Sequence, residues 1–520
     1  MKTRRQLTEE IEKRQIMITF IKGMVAAMAD SYKYGHFEQY DEADEMVAYG
    51  ECRGPLTPED GRIVFIGMRQ KVEEFLYHRW THEELDLLAS FMLTHNAGNT
   101  PYPWPEKLFR QFVDENDGYF PVTIQAMPEG SVIQPHVPVY QITAKKPYAA
   151  LVTFLETLLT KVWYPTVVCT LDRNVWQSIY DGYVESVDEE DWWTLDYRLH
   201  DFGMRGCTSE DQAITGGMAH LVNFKGSDTV SAALYAQFLY NEGRPVAESI
   251  PATEHSVMTA RGRKGELGRV LKIIGLYAKG VFATVMDSFD SDNFLNEIVP
   301  KGSQTVKDAG GLWVGRPDSG DPVDEVMKTL RKGAATFGTR TNRKGYRVIL
   351  NWAAIQGDGI DPAIVIRIIK AVLYEGFSLQ NIAFGMGGGL LQKVNRDTLR
   401  FATKLCYIKY SDGTWVEVMK DPKGDIDKCS LAGKLSVRRT VFAGRPYTVV
   451  PVPAGWSDHD AYYPEEILQV VYDCGPIEVE WPTFDQLRQR VNAEWAASDK
   501  VYDPRSEVLM QKIAEIRAQS

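Results

Sequence analysis

Ile382-Ala383-Phe384-Gly385-Met386-Gly387-Gly388-Gly389-Leu390-Leu391-Gln392-Lys393 is the stretch on which the fold turns. A short apolar run ends in glycines, and the glycines open onto a helical pattern. Glycine lets backbone N–H groups approach an oxyanion closely, and a helix start adds partial positive charge. Lys393 and Arg396 follow and can supply formal charge. The spacing matches neither G-x-x-x-x-G-K-[ST] nor G-x-G-x-x-G, so this is neither a P-loop nor a dinucleotide fingerprint. Its context favours a phosphate cradle over a plain tight turn of positive-φ glycines.

The same grammar repeats on either side. Residues 281–286 run into Asp287–Asp290, 312–315 into Arg316–Gly320, and 219–224 into Lys225–Asp228. Strand, polar turn, helix, repeated from about Tyr197 to Lys404, predicts an α/β barrel or doubly wound sheet. In both, ligands gather at the C-terminal ends of the strands. Earlier in the chain, 63–80 reads as an amphipathic helix, 119–142 as short strands and 147–163 as helical. Beyond Cys406, the stretches 407–409, 414–419 and 439–452 fit strands, and 505–518 fits a closing helix. A discontinuous mixed α+β domain, residues 1–180 plus 405–520, is therefore expected to flank a barrel at 181–404.

The chain has 520 residues, 44% hydrophobic and 25% charged, which allows a large core. Its net charge of −12 repels nucleic-acid phosphate and anionic membranes, so neither is expected as a partner. Six cysteines with no C-x-x-C pair rule out a disulfide scaffold and suit a reducing, cytoplasmic setting. No apolar run reaches the roughly 18 residues of a membrane span. Lys2, Arg4 and Arg5 before the apolar stretch 16–29 imitate a signal peptide, but Glu9, Glu10, Glu12 and Lys22 interrupt the pattern.

Several turns carry candidate chemistry. In Arg316-Pro317-Asp318-Ser319-Gly320-Asp321-Pro322, Arg316 can clamp a phosphate and Asp318 a ribose hydroxyl. Asp321 with Pro322 also reads as a helix entry. In Ile355-Gln356-Gly357-Asp358-Gly359, Asp358 suits sugar hydroxyls or metal-bound water, though such turns are common on surfaces. In His200-Asp201-Phe202-Gly203-Met204-Arg205, Phe202 offers a flat face for a planar heterocycle and Arg205 a cation for a diphosphate; His200 reads as structural. Asp228, in Lys225-Gly226-Ser227-Asp228-Thr229, can accept from a carboxamide and repel a carboxylate, or simply cap a helix. Ser249-Ile250-Pro251-Ala252-Thr253-Glu254-His255-Ser256 presents a Glu–His pair without the H-E-x-x-H spacing of zinc sites. Asp287 and Asp290 can help organise Mg²⁺ or cap a helix.

Taken in order, these motifs resemble those of the nicotinamide phosphoribosyltransferases, which are type II phosphoribosyltransferases. So do Asp30-Ser31-Tyr32-Lys33, Glu51-Cys52-Arg53 and Lys420-Asp421-Pro422; the likeness runs from about residue 28 to about 440. The resemblance implies an irregular α/β barrel with a flanking mixed domain, and a homodimer with active sites at the interface. It implies that nicotinamide and phosphoribosyl pyrophosphate are the substrates, with Mg²⁺ as cofactor and ATP as co-substrate. Phe202 and Tyr32 of the second subunit would sandwich the pyridine ring, and Asp228 would favour nicotinamide over nicotinate. Arg205, Arg316 and Asp318 would hold the phosphoribosyl substrate. Gly357, Asp358, Gly388 and Arg396 would contact ribose and its 5-phosphate, with Arg53, Lys404 and Lys420. Ser249, Asp287, Asp290 and Gly387 complete the expected substrate contacts. His255 would be phosphorylated by ATP and oriented by Glu254. Met286, Met386 and Ala353 stand where the family commonly has Ser, Ser and Arg, which puts the nicotinamide tunnel and ATP coupling in question. The alternatives are a nicotinate-using enzyme and a non-catalytic signalling or scaffold homologue. Intact His255, Asp228, Arg316 and the Gly387 turn argue against the latter.

Overall fold

Six short parallel strands form the centre of one unit, made of residues 164–395 and 482–492. They are β1 (Leu199–Asp201), β2 (Gly226–Ser227), β3 (Val281–Val285), β4 (Leu312–Arg316), β5 (Trp352–Gln356) and β6 (Ile382–Met386). Their order across the sheet is β2-β1-β6-β5-β4-β3. The two edges are bridged by the extended segment 248–252. Glu248 pairs in parallel with Gly226, and Ala252 with Ala283. An irregular α/β barrel results. The computed structural model that defines it describes residues 3–420, 429–453 and 465–519.

Side-chain size sorts the two faces of these strands. Ala283, Val314, Ala353 and Ile355 meet inside the barrel, with Phe202, Ile250, Leu312 and Ala383 against them. Bulky residues point outward to the helices. Trp313 stacks on Phe282, and Trp352 stacks on Phe337 of the helix Pro322–Phe337. That helix passes so close that a Cβ on Gly333 would lie 2.1 Å from Trp352. Strands buried on both faces need no polar alternation, which is why they read as plain apolar runs.

The second unit comprises 1–163, 396–481 and 493–520. Its antiparallel sheet interleaves early and late segments: Trp415–Glu417, Ala402–Tyr410, Ala43–Glu51, Pro138–Lys145, Val122–Ala126 and Gln469–Asp473. Ala402–Tyr410 pairs along the whole of Ala43–Glu51, so the boundary falls at 395/396 rather than 404/405. At the other end, helix Trp163–Ser186 buries Asp172 against His220 of the barrel unit, which moves that boundary from 180 to 163. Residues 482–492 also belong to the barrel unit; the Arg488 guanidinium donates to the carbonyls of Leu221 and Val246.

Two expected elements differ. Residues 219–224 end the helix Glu210–Leu221 instead of forming a strand, and the strand that follows is only Gly226–Ser227. Residues 63–80 hold a two-residue strand, Ile63–Val64, and helical turns only over 68–76, because Gly67 takes a left-handed φ of 102°. The closing helix runs Glu507–Gln519. No helix among the described residues is long and apolar enough to cross a membrane.

Candidate active site

Every barrel strand delivers its functional turn at the same, C-terminal end. After β1, the Phe202 N–H donates to the Met386 carbonyl at 3.1 Å, drawing the aromatic turn onto the glycine turn. The Phe202 ring lies along two bare backbones: a Cβ on Gly385 would fall 2.1 Å from it, and one on Gly357 3.0 Å. Gly385 is required by the ring, whatever else it approaches, and Gly357 leaves the ring a close fit. Phe202 thus sits at the mouth of the barrel, half-buried, with Arg205 exposed beyond it.

After β2, Asp228 faces the same region, and the Ser249 hydroxyl donates to its Oδ1 at 2.5 Å. Partial desolvation raises the Asp228 pKa. The Ser249 hydrogen bond opposes this rise, the negative charge of Asp201 adds to it, and Arg316 and Arg205 offset part. Asp228 does not cap the next helix; Thr229 holds that position.

His255 begins a short helix after the closing segment. Its Nε2 lies 3.1 Å from Asp318 Oδ2 and 3.9 Å from Asp287 Oδ1, and its Nδ1 3.1 Å from Ser288 Oγ. Glu254 does not orient it, contrary to expectation. The Glu254 carboxylate takes the Ser256 hydroxyl, while Asp318 and Ser288 hold the imidazole. Arg316 is 3.8 Å from Asp318, and its buried Nε makes no hydrogen bond among the described residues; nor does Asp287 Oδ1. Asp290 Oδ1 accepts the Asn293 N–H at 2.9 Å as a helix cap, the other reading its sequence allows. Asp321 likewise caps Pro322–Phe337, as its sequence context predicts.

The Gly387–Gly389 turn opens only a single helical turn, Gly388–Leu391. Backbone N–H groups, rather than a long helix dipole, are what it offers an anion. Asp358 is exposed, and its carbonyl accepts from the Gln356 side chain at 3.0 Å. Among the unfamiliar residues, Met286 and Met386 are fully buried, Met286 beside Trp352 on the outward side of Gly315. Ala353 alone of the three belongs to the barrel interior cluster. His200 is buried, which lowers its pKa to about 4, in keeping with a structural role.

Tyr32, Arg53, Arg396, Lys404 and Lys420 lie in the other unit. There Lys404 has a lowered pKa, first through burial and then through the neighbouring charges of Arg53 and Lys420, so three cations share one locality. Asp421 and Pro422 fall outside the described residues. Sequence reasoning missed Ser288, Asp201 and Thr229 as site-building residues. Each stands beside a more conspicuous side chain: Ser288 beside Asp287, Asp201 beside Phe202, and Thr229 beside Asp228.

The barrel gathers an aromatic ring, a carboxylate and a cation–carboxylate pair at one rim, and the sequence comparisons place it among the phosphoribosyltransferases. Residues 197–445 match the nicotinate phosphoribosyltransferase (NAPRTase) family. Residues 24–124 match the N-terminal domain of nicotinamide phosphoribosyltransferase. The chain is 36% identical over 477 residues to a nicotinamide phosphoribosyltransferase of Xanthomonas campestris, covering 89% of this chain and 97% of that one. It is 29% identical over 495 residues to one of Acinetobacter baylyi, covering 89% and 96%. The fold is also that of a nicotinate-nucleotide pyrophosphorylase from Pyrococcus furiosus (TM-score 0.58, 14% identity, covering 92% and 96%). Human nicotinic acid phosphoribosyltransferase shares it too (TM-score 0.55, 17%, covering 94% and 99%). The chain belongs to the nicotinamide phosphoribosyltransferase family.

Proposed function

We propose that this protein transfers the phosphoribosyl group of phosphoribosyl pyrophosphate to the ring nitrogen of nicotinamide, giving nicotinamide mononucleotide and pyrophosphate. One observation carries the reading: Phe202 on its two glycines, Asp228 held by Ser249, and Arg316 with Asp318 meet at one barrel rim. As the C1–diphosphate bond breaks, C1 gains oxocarbenium character and the leaving group gains charge, which Arg316 and Arg205 are positioned to meet. The ring nitrogen attacks with its own lone pair, so no general base is needed; stacking and the amide hydrogen bond supply orientation. Mg²⁺ carried by the diphosphate adds charge neutralisation. Among the described residues no group of three His, Cys, Asp or Glu side chains is arranged for a metal. Asp287 Oδ1, which accepts no hydrogen bond among the described residues and faces His255 Nε2 at 3.9 Å, is the carboxylate oxygen this chain would offer to such an ion. Product formation from nicotinamide and from nicotinate tests the assignment. An advantage for nicotinate of roughly tenfold, about 1.4 kcal/mol, overturns it.

His255 is assigned as the site phosphorylated by ATP. Its imidazole is exposed, held by Asp318 and Ser288, and adjacent to the arginine that faces substrate. A His255→Ala enzyme keeps basal turnover and loses stimulation by ATP; unchanged stimulation refutes the assignment.

The working unit is assigned as a homodimer in the cytoplasm. Helix Val230–Tyr240 exposes Val230 (64%), Leu234 (51%), Phe238 (60%) and Leu239 (57%) directly after Asp228, an apolar face suited to a second copy. Tyr32, 54% exposed, is the ring that the second copy would lend to Phe202. Arg53, Lys404 and Lys420 are assigned to substrate phosphates. None of the six cysteines forms a disulfide, which suits a reducing compartment.

A further inference from the structure

We infer that Asp201 and Thr229 are positioning residues that lock together the two walls of the pyridine pocket; the inference rests on the nicotinamide reading above. Asp201 ends β1 and is fully buried. Its Oδ1 accepts the Gly203 N–H at 2.7 Å, which fixes the turn carrying Phe202. Its Oδ2 accepts the Thr229 hydroxyl at 2.7 Å, one residue past Asp228, and its carbonyl accepts the Asp228 N–H at 3.1 Å. Three atoms of one residue therefore set the ring platform and the amide-selecting carboxylate at a fixed separation.

Thr229 supplies an independent observation. It occupies the N-cap of helix Val230–Tyr240, where a threonine hydroxyl ordinarily accepts a helix N–H. Here it makes no such cap; the hydroxyl is turned across to Asp201. The backbone is cleared for the same arrangement. A Cβ on Gly203 would lie 3.1 Å from Asp201 Oδ1, and one on Gly217 would lie 3.2 Å from Oδ2 and 2.5 Å from the Ala232 Cβ. Asp201 acts through Phe202 and Asp228. Nicotinamide is flat and rigid, so its ring contact and its amide contact must be satisfied together. Of the residues assigned to phosphoribosyl pyrophosphate, Arg316, Asp318 and Asp358 lie on turns that Asp201 does not tie; Arg205 follows Gly203 on the tied turn but reaches outward with an exposed side chain.

The test is steady-state kinetics on Thr229→Val, Thr229→Ala and Thr229→Ser, with thermal unfolding alongside. The Val variant keeps the shape and removes the hydroxyl; the Ala variant carries the same expectation should Val not fold. Loss of the hydroxyl raises the KM for nicotinamide roughly tenfold, with the KM for phosphoribosyl pyrophosphate within about twofold. The Ser variant restores both to within about twofold, because it keeps the donor. Equal changes in both KM values, no change in either, or a fall in Tm alone overturns the inference. Absence of product from nicotinamide in the unaltered enzyme instead overturns the nicotinamide reading, so the two failures are distinguishable.

Discussion

Asp228 combines selectivity with a titration, and the two can be read together. Its raised pKa means that it gains a proton at a higher pH than an ordinary aspartate. In the proposed role its ionised form accepts from the amide of nicotinamide and repels the carboxylate of nicotinate. Protonated, it can donate to that carboxylate. The ratio of kcat/KM for nicotinate to that for nicotinamide therefore rises as pH falls from neutrality, and Asp228→Asn flattens the dependence. A ratio that stays level across the series in the unaltered enzyme identifies some other group as the discriminator. Gly385 makes a second prediction at this scale. An added methyl would meet the Phe202 ring at 2.1 Å, so Gly385→Ala displaces the ring and lowers kcat/KM for nicotinamide on the order of 10- to 100-fold. Assays with saturating phosphoribosyl pyrophosphate check this.

At the scale of elements, Asp321 is a cap whose two hydrogen bonds, to Val323 and Asp324 at 2.9 and 3.1 Å, face the helix it starts. Asp321→Ala lowers stability by about 1 kcal/mol in urea unfolding while leaving both KM values unchanged. Caps of this type were legible, as were β3, β4 and β6, because each joins an apolar run to a Gly- or Asp-rich turn. Residues 219–224 were not. Their apolar run is the tail of a helix, and Gly216-Gly217 within that helix weakened its periodic signal. The two-residue strand β2 has no propensity of its own; its neighbours define it. The Phe202, Asp228, Arg316 and Gly387 turns were readable as motifs. The Asp201–Thr229 bond was not, since its partners are 28 positions apart and Thr229 looks like an ordinary cap. Glu254 misled for the opposite reason: it adjoins His255 in sequence, but neighbouring side chains diverge, and its carboxylate accepts from Ser256 instead.

For the whole molecule, the interleaved antiparallel sheet shows why the flanking unit needs both ends of the chain. Ala43–Glu51 has Ala402–Tyr410 on one side and Pro138–Lys145 on the other. The apolar face of Val230–Tyr240 gives the prediction that belongs here. On the proposed homodimer, Leu234→Asp combined with Phe238→Asp gives a monomer in light scattering where the unaltered protein gives a dimer, and lowers kcat/KM roughly tenfold or more, with the circular dichroism of the fold retained. A double variant that stays dimeric removes this helix from the interface.

The barrel resembles a basket with one stave set in by hand. Residues 248–253 are fastened by two backbone bonds to the β2 side, through Ser227 and Lys225, and two to the β3 side, through Ala283. Ser249, which donates to the Asp228 carboxylate, stands near its foot, and His255 stands just past its head. Six residues of chain, pinned at both edges of the sheet, therefore join the imidazole to the hydroxyl that binds Asp228.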